Sequence, residues 1–97
     1  MDDFRFEWDE RKSKANQRKH GVSFEESRTV FLDEGARLIP DPDHSDEEDR
    51  FILVGLSLKL RVLVVCHCYR EGEKLIRIIS ARKATAVERR DYVRWSS

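Results

Sequence analysis

Arg61-Val62-Leu63-Val64-Val65-Cys66-His67-Cys68-Tyr69-Arg70, then Glu71-Gly72-Glu73-Lys74, then Leu75-Ile76-Arg77-Ile78-Ile79-Ser80-Ala81-Arg82 is the stretch that decides the fold. Two apolar runs separated by four polar residues that include a glycine read as strands joined by a hairpin turn. Pairing across that turn sets Arg70 opposite Leu75, Cys68 opposite Arg77 and Cys66 opposite Ile79. Strict alternation then places Arg61, His67, Tyr69, Ser80 and Arg82 on one face, and Arg70, Arg77 and both cysteines on the other. A slip of one residue reverses the assignment. In either register each face carries cations among apolar side chains. Arg77 and Arg82 fall on opposite faces unless a bulge intervenes.

Upstream, residues 50–57 (RFILVGLS) form another strand, connected through Leu58-Lys59-Leu60. Ala36 to Ile39 is a short strand stopped by Pro40, and Pro42 opens the loop from Asp41 to Asp49. Phe4 to Trp8 (FRFEW) alternates cleanly and reads as a first strand, with Phe4, Phe6 and Trp8 facing the core. Asp9 can cap a helix from Glu10 to His20, and Gly21 is its natural stop. Ser23 and Glu26 form a capping box with Val22 as the staple residue, starting a helix that ends near Leu32-Asp33. Ala84 to about Trp95 is the last helix, with Val87, Tyr92 and Trp95 as core contacts. The order β-α-α-β-β-β-β-α predicts a single α+β domain over residues 1–97. It comprises an antiparallel meander with two N-terminal helices and one C-terminal helix, the helices on one face.

The 97 residues carry 19 basic and 19 acidic groups, for a net charge of zero. The balance hides a separation. Residues 11–20 hold five basic groups and no acid, residues 41–49 hold six acids and no Lys or Arg, and residues 59–97 hold ten basic groups against four acids. Such separation creates local fields suited to a polyanion. Cys66 and Cys68 would stand about 7 Å apart along one strand, too far for a disulfide. A C-x-C pair without a second Cys pair is a poor zinc site, so both read as small buried hydrophobes. The acidic opening MDDFRFEWDE has no apolar h-region, and no run nears membrane-spanning length. A cytoplasmic protein is expected.

No Gly-rich phosphate loop, H-E-x-x-H, C-x-x-C or G-x-S-x-G occurs. What remains is Arg and Lys on strands, His67 on a strand, and a basic helix. Arg binds phosphate bidentately and stays charged at any relevant pH. Cleavage of RNA by its own 2′-hydroxyl needs a base, an acid and charge stabilisation, and no metal. Each residue also has a bland reading. His67 can be a packed strand histidine, Arg77 and Arg82 can be structural ion pairs, and Lys19-His20 can simply favour a helix C-terminus. His44 reads as a solvated loop residue. A metal-dependent hydrolase built on the acidic loop and His44 lacks the glycine and ligand spacing of a calcium loop.

Longer words of the sequence carry a resemblance. F-E-W-D at 6–9, Lys12, Asn16, K-H-G-V-S-F-E-E at 19–26 and V-F at 30–31 are similar to the opening of the BrnT toxin family. D-P-D-H-S-D-E-E-D-R-F at 41–51 with V-G at 54–55 resembles its middle. R-I-I-S-A-R-K-A at 77–84 with Glu88, Arg89 and Tyr92 resembles its ending. The resemblance implies a RelE-like fold and a metal-independent endoribonuclease that blocks translation and needs no cofactor. It also implies a BrnA-like ribbon-helix-helix antitoxin in a hetero-oligomer that reaches operator DNA only through the antitoxin. Lys19, His20, Arg50, Arg61, Arg77 and Arg82 match family positions. The expected catalytic set is Arg61, His67, Arg77 and Arg82. The expected RNA-binding set is Lys19, His20, Arg50 and Lys83. The rival is a degenerate toxin, an antitoxin-binding co-repressor without catalysis.

Overall fold

Local signals explain where the elements begin and stop. The computed structural model describes residues 4–42, 49–72 and 74–96. Strand β1 is Arg5–Glu7 and helix α1 is Glu10–His20, capped by the Asp9 carboxylate, which accepts from the Arg11 amide at 2.9 Å. Gly21 closes α1 at φ 71°, a conformation other residues adopt at a cost. Helix α2 is Phe24–Thr29, continued by a 3-10 turn over Val30–Leu32. Ser23 caps α2 by accepting from the Glu26 amide at 3.1 Å. Half of the expected capping box is missing, because the Glu26 carboxylate is engaged elsewhere. Strands β2 (Arg37–Pro40), β3 (Arg50–Leu56), β4 (Val62–Arg70) and β5 (Leu75–Lys83) precede helix α3, Ala86–Ser96.

The five strands form one sheet in the order β1-β5-β4-β3-β2. The β2-to-β5 portion is the expected antiparallel meander. The sheet is nevertheless mixed, because β1 pairs with β5 in parallel, Arg5 opposite Leu75 and Glu7 opposite Arg77. Alternation in a three-residue strand declares its buried side and says nothing of its partner or direction. The helices also divide between two faces. One face buries Leu53, Leu63, Val65, Ile78 and Ala81 with Val22, Phe24 and Val30. The other gathers Val54, Val64 and Ala84 against Ile52, Val62 and Trp95, so α3 covers only that end. Tyr92 and Trp95 pack as expected, whereas Val87 is 54% exposed and Phe4 46% exposed.

Strand β1 reaches only the first three residues of β5. Farther along, a side chain takes over the bare edge. The Asn16 carboxamide accepts from the Ala81 amide at 3.1 Å and donates to the Ala81 carbonyl at 2.9 Å and the Val22 carbonyl at 2.7 Å. It acts as one residue of a missing strand and fixes α1 beside the sheet. Asn16→Ala strands three backbone groups at a buried position, and each such group costs about 1–3 kcal/mol. The expected loss is about 3 kcal/mol or more, read as the shift in a urea unfolding curve. Asn16→Asp, which cannot donate to the two carbonyls, should fare no better.

Alternation breaks once in the hairpin. His67 pairs with Ile78 while Cys66 pairs with Ser80, so Ile79 is an extra residue. This bulge moves every later side chain of β5 to the opposite face. Arg77, Ser80 and Arg82 therefore share one face with Cys66, Cys68 and Arg70. The expected partition, with Ser80 and Arg82 beside His67, is corrected.

Candidate active site

On the face that α3 leaves open, a cleft of about 240 Å³ lies between distant parts of the chain. Its lining includes His20 from the end of α1, Asp41 after β2, Arg50 at the start of β3, and Cys66, Ser80 and Arg82 from the hairpin. Two earlier features build it. Asn16 pins α1 against β5, which carries His20 to the sheet. The bulge at Ile79 turns Arg82 to the same side. The backbone register alone places Arg50 there, opposite Cys68 on β4.

Arg82 is held rather than loose. Its two terminal nitrogens donate to both Glu88 oxygens at 2.8 and 2.9 Å, and Nη1 also donates to the Lys83 carbonyl at 3.3 Å. A guanidinium has five N–H donors. The Nε–H and the second Nη2–H keep no partner among the described residues, and they form the side edge that a phosphate accepts bidentately. Glu88 in turn closes a capping box at the head of α3. Its carboxylate accepts from the Thr85 amide at 2.8 Å, and its amide donates to the Thr85 hydroxyl at 3.2 Å. The Arg82 hydrogen bonds come first in pushing the Glu88 carboxyl down to about 2, and Glu88 raises Arg82 in return. The signal T-x-x-E at 85–88 stood in the sequence and places the helix start at Ala86, two residues after the expected Ala84.

Cys66 lies in the cleft wall with its thiol 3.6 Å from the Asp41 carboxylate. Burial, then Asp41, pushes the thiol up to about 11, so it stays protonated and is no nucleophile at neutral pH. Both cysteines are free; Cys68 is buried as expected, whereas Cys66 is only partly buried.

Three of the four residues expected to act together are elsewhere. His67 is fully buried on the helix-covered face, among Phe31, Phe51 and Tyr69. Its Nδ1 lies 3.2 Å from the Val65 carbonyl, which can only accept, so Nδ1 carries the proton and Nε2 accepts from the Tyr69 hydroxyl at 3.2 Å. Arg77 donates to Glu7 at 3.0 Å and Arg70 lies 3.6 Å from the same carboxylate, so this trio ties β1 to the hairpin. Arg77 shares the open face with Arg82, but four β4 residues, about 13 Å by strand rise, separate their partners.

Arg61 is the third. Its guanidinium donates through Nε to the Glu26 carboxylate at 2.9 Å, again to Glu26 through Nη2, and to the Gly21 carbonyl at 2.9 Å. Ser57 donates to Glu26 as well, at 2.7 Å. Burial alone would raise Glu26, but the hydrogen bonds from Arg61 and Ser57 outweigh it and hold the carboxyl below its usual range. This is why the capping box at Ser23 stays half formed. Arg61→Ala leaves a carboxylate with only 2% of its side chain exposed, with Ser57 as its remaining side-chain hydrogen-bond partner among the described residues and the Lys59 charge nearby. Breaking a fully buried pair costs about 3–5 kcal/mol; Arg61 is partly solvated, so about 2 kcal/mol is expected in thermal unfolding at pH 7. Arg61→Ala/Glu26→Gln should recover part of it.

Of the expected RNA-binding residues, His20 and Arg50 line the cleft. Lys19 is exposed on the last turn of α1, and the Lys83 ammonium lies beside Gly21, 3.7 Å from where a Cβ would stand. His44 lies outside the described residues.

The profile of a family described as ribonuclease toxin, BrnT, of type II toxin–antitoxin systems matches residues 8–88. The chain also superposes on a 1.1 Å crystal structure of the Brucella abortus ribonuclease toxin BrnT. The TM-score is 0.64 at 25% identity, covering 84% of this chain and 97% of that one. No curated protein matches the chain. No helix among the described residues is long and apolar enough to cross a membrane.

Proposed function

Because the chain belongs to the BrnT family of ribonuclease toxins of type II toxin–antitoxin systems, we propose that it is an endoribonuclease whose active site is the open-face cleft. The observation that carries this reading is the convergence of His20, Arg50 and Arg82 on that cleft from three remote stretches. Arg82, oriented by Glu88, and Arg50 hold the scissile phosphate and offset the charge that builds on it. His20 supplies the imidazole, the side chain suited to moving a proton near neutral pH, between the 2′-hydroxyl, the leaving 5′-oxygen and solvent. The attacking group belongs to the substrate, so neither a protein nucleophile nor a metal is called for. In this reading the protein is cytoplasmic and RelE-like, and its cleavage of RNA stops translation. A BrnA-like ribbon-helix-helix antitoxin neutralises it and carries the complex to operator DNA.

The test is expression of the chain alone and together with the short open reading frame beside its gene, followed by assay of purified, antitoxin-free protein on RNA in excess chelator. Growth arrest, relief by the neighbour and cleavage that persists in chelator are expected. Intact RNA across varied substrates would favour the co-repressor reading instead. That reading draws on the neutralisation of Arg77 by Glu7 and of Arg82 by Glu88.

A further inference from the structure

Helix α1 concentrates exposed cations on one short element. Arg5, Arg61, Arg77 and Arg82 each meet a carboxylate. Arg11, Lys12, Lys14, Arg18 and Lys19 are all exposed, and none forms an ion pair among the described residues. Only Ser13 and Asn16 of this helix are buried. Five cations on three turns, with Glu10 as the one acid of the helix, repel one another, and none of the five meets a carboxylate at ion-pair distance among the described residues.

Their placement is directional. Lys12, Asn16 and Lys19 are spaced i, i+4, i+7 and stand on one face of the helix. Asn16 is the residue that grips the edge of β5 at Ala81. Lys12 and Lys19 therefore flank that grip, about 10 Å apart along the axis by helical rise, next to the bare edge of the sheet. Ser13, on the neighbouring side, meets α2 by accepting from the Phe24 amide at 3.1 Å, so this row lies away from α2. The row ends at His20, which lines the cleft.

Resting on the ribonuclease reading, we propose that this face of α1 is a track for the RNA backbone. Lys12 and Lys19 bind phosphates that flank the scissile one and guide the strand into the cleft. A polyanion is the occupant that complements five exposed cations on one short helix. Its outward face has no aromatic or large apolar residue, and a protein interface is anchored by such residues. Phosphate contacts of this type are independent of sequence and dependent on salt. They add affinity for long RNA that a short fragment spanning only the cleft does not use.

The test uses the full chain and uncleavable 2′-O-methyl RNA of 12 and 4 nucleotides, with Kd followed from 50 to 200 mM salt by fluorescence anisotropy. The Lys12→Gln/Lys19→Gln variant keeps Asn16 and all buried contacts. It should weaken 12-mer binding on the order of tenfold at low salt and lower the log–log salt slope by about 1.4, two single-strand contacts at about 0.7 each. Binding of the 4-mer should change far less. An unchanged slope for the 12-mer would overturn the proposal, as would an equal loss for both lengths, which would move the lysines into the cleft. If the variant instead loses its antitoxin and keeps 12-mer affinity, the helix belongs to the protein partner and the proposal falls. Binding intact in the wild type without cleavage of natural RNA would sink the ribonuclease reading while leaving the track standing.

Discussion

Arg82→Ala is expected to slow RNA cleavage by about two to three orders of magnitude, the usual cost of removing one preorganised group that stabilises developing charge. The expectation rests on geometry. Glu88 grips the guanidinium by its two terminal nitrogens and leaves the Nε/Nη2 edge without a described partner. Arg82→Lys should recover little, since an ammonium cannot contact Glu88 and a phosphate through parallel N–H pairs. The informative contrast is Arg77→Ala. Arg77 lies on the same face but is engaged with Glu7 at the β1 end. Its removal should cost about 1 kcal/mol of stability, as for a part-exposed pair, and alter cleavage only a few-fold. Initial rates on one fluorogenic RNA, with melting curves for each variant, separate the two. Equal losses for Arg77→Ala and Arg82→Ala at equal stability would place the site wrongly.

The second large effect is on acid stability, and it isolates His67. Burial pushes this imidazole down to about 4, against an ordinary value of 6.5, so the folded protein keeps it neutral where the unfolded chain is protonated. The folded value is depressed. Stability is therefore full above pH 6.5, is lost as pH falls from 6.5 toward 4, and changes no further below that from this group. The loss amounts to about 3 kcal/mol at 1.36 kcal/mol per unit. Glu26, Asp33 and Glu88 also lose stabilisation on acidification, but their unfolded values confine this to lower pH, so the window from 4.5 to 6.5 belongs mainly to His67. His67→Phe keeps an aromatic ring against Phe31, Phe51 and Tyr69. It should cost about 1–2 kcal/mol at pH 7 for the two unmet hydrogen bonds and flatten the curve between pH 4.5 and 6.5. Urea midpoints across that range decide the matter. A variant that retains the wild-type slope would show that another group carries it. A variant that unfolds normally yet loses cleavage would return His67 to catalysis.

The candidate site was only partly legible in the residues. His20, Arg50 and Arg82 could be shortlisted because cations and an imidazole are what phosphodiester chemistry needs. Their association could not, since it depends on α1 docking on a strand edge far along the chain through a single asparagine. Arg61 reads as a phosphate ligand until Glu26 is seen beneath it. The Glu26 carboxylate looked committed to a capping box, and only the packing of α2 on the Ser57 turn shows that Arg61 and Ser57 claim it first.

What the chain determines by itself is local. Asp9, Gly21 and Ser23 mark the helix ends through hydrogen bonds within three or four residues, and hairpin alternation marks the strands through a period of two. The turn at 71–74 even sets the first pairs, Arg70 with Leu75 and Cys68 with Arg77. The tertiary structure decided the rest: the parallel seat of β1, the assignment of α3 to the second face, and the extra residue at Ile79. Each depends on contacts between residues distant in sequence, and no local period encodes them. The bulge matters most, because one unpaired residue was enough to take Arg82 away from His67 and bring it to His20 and Arg50.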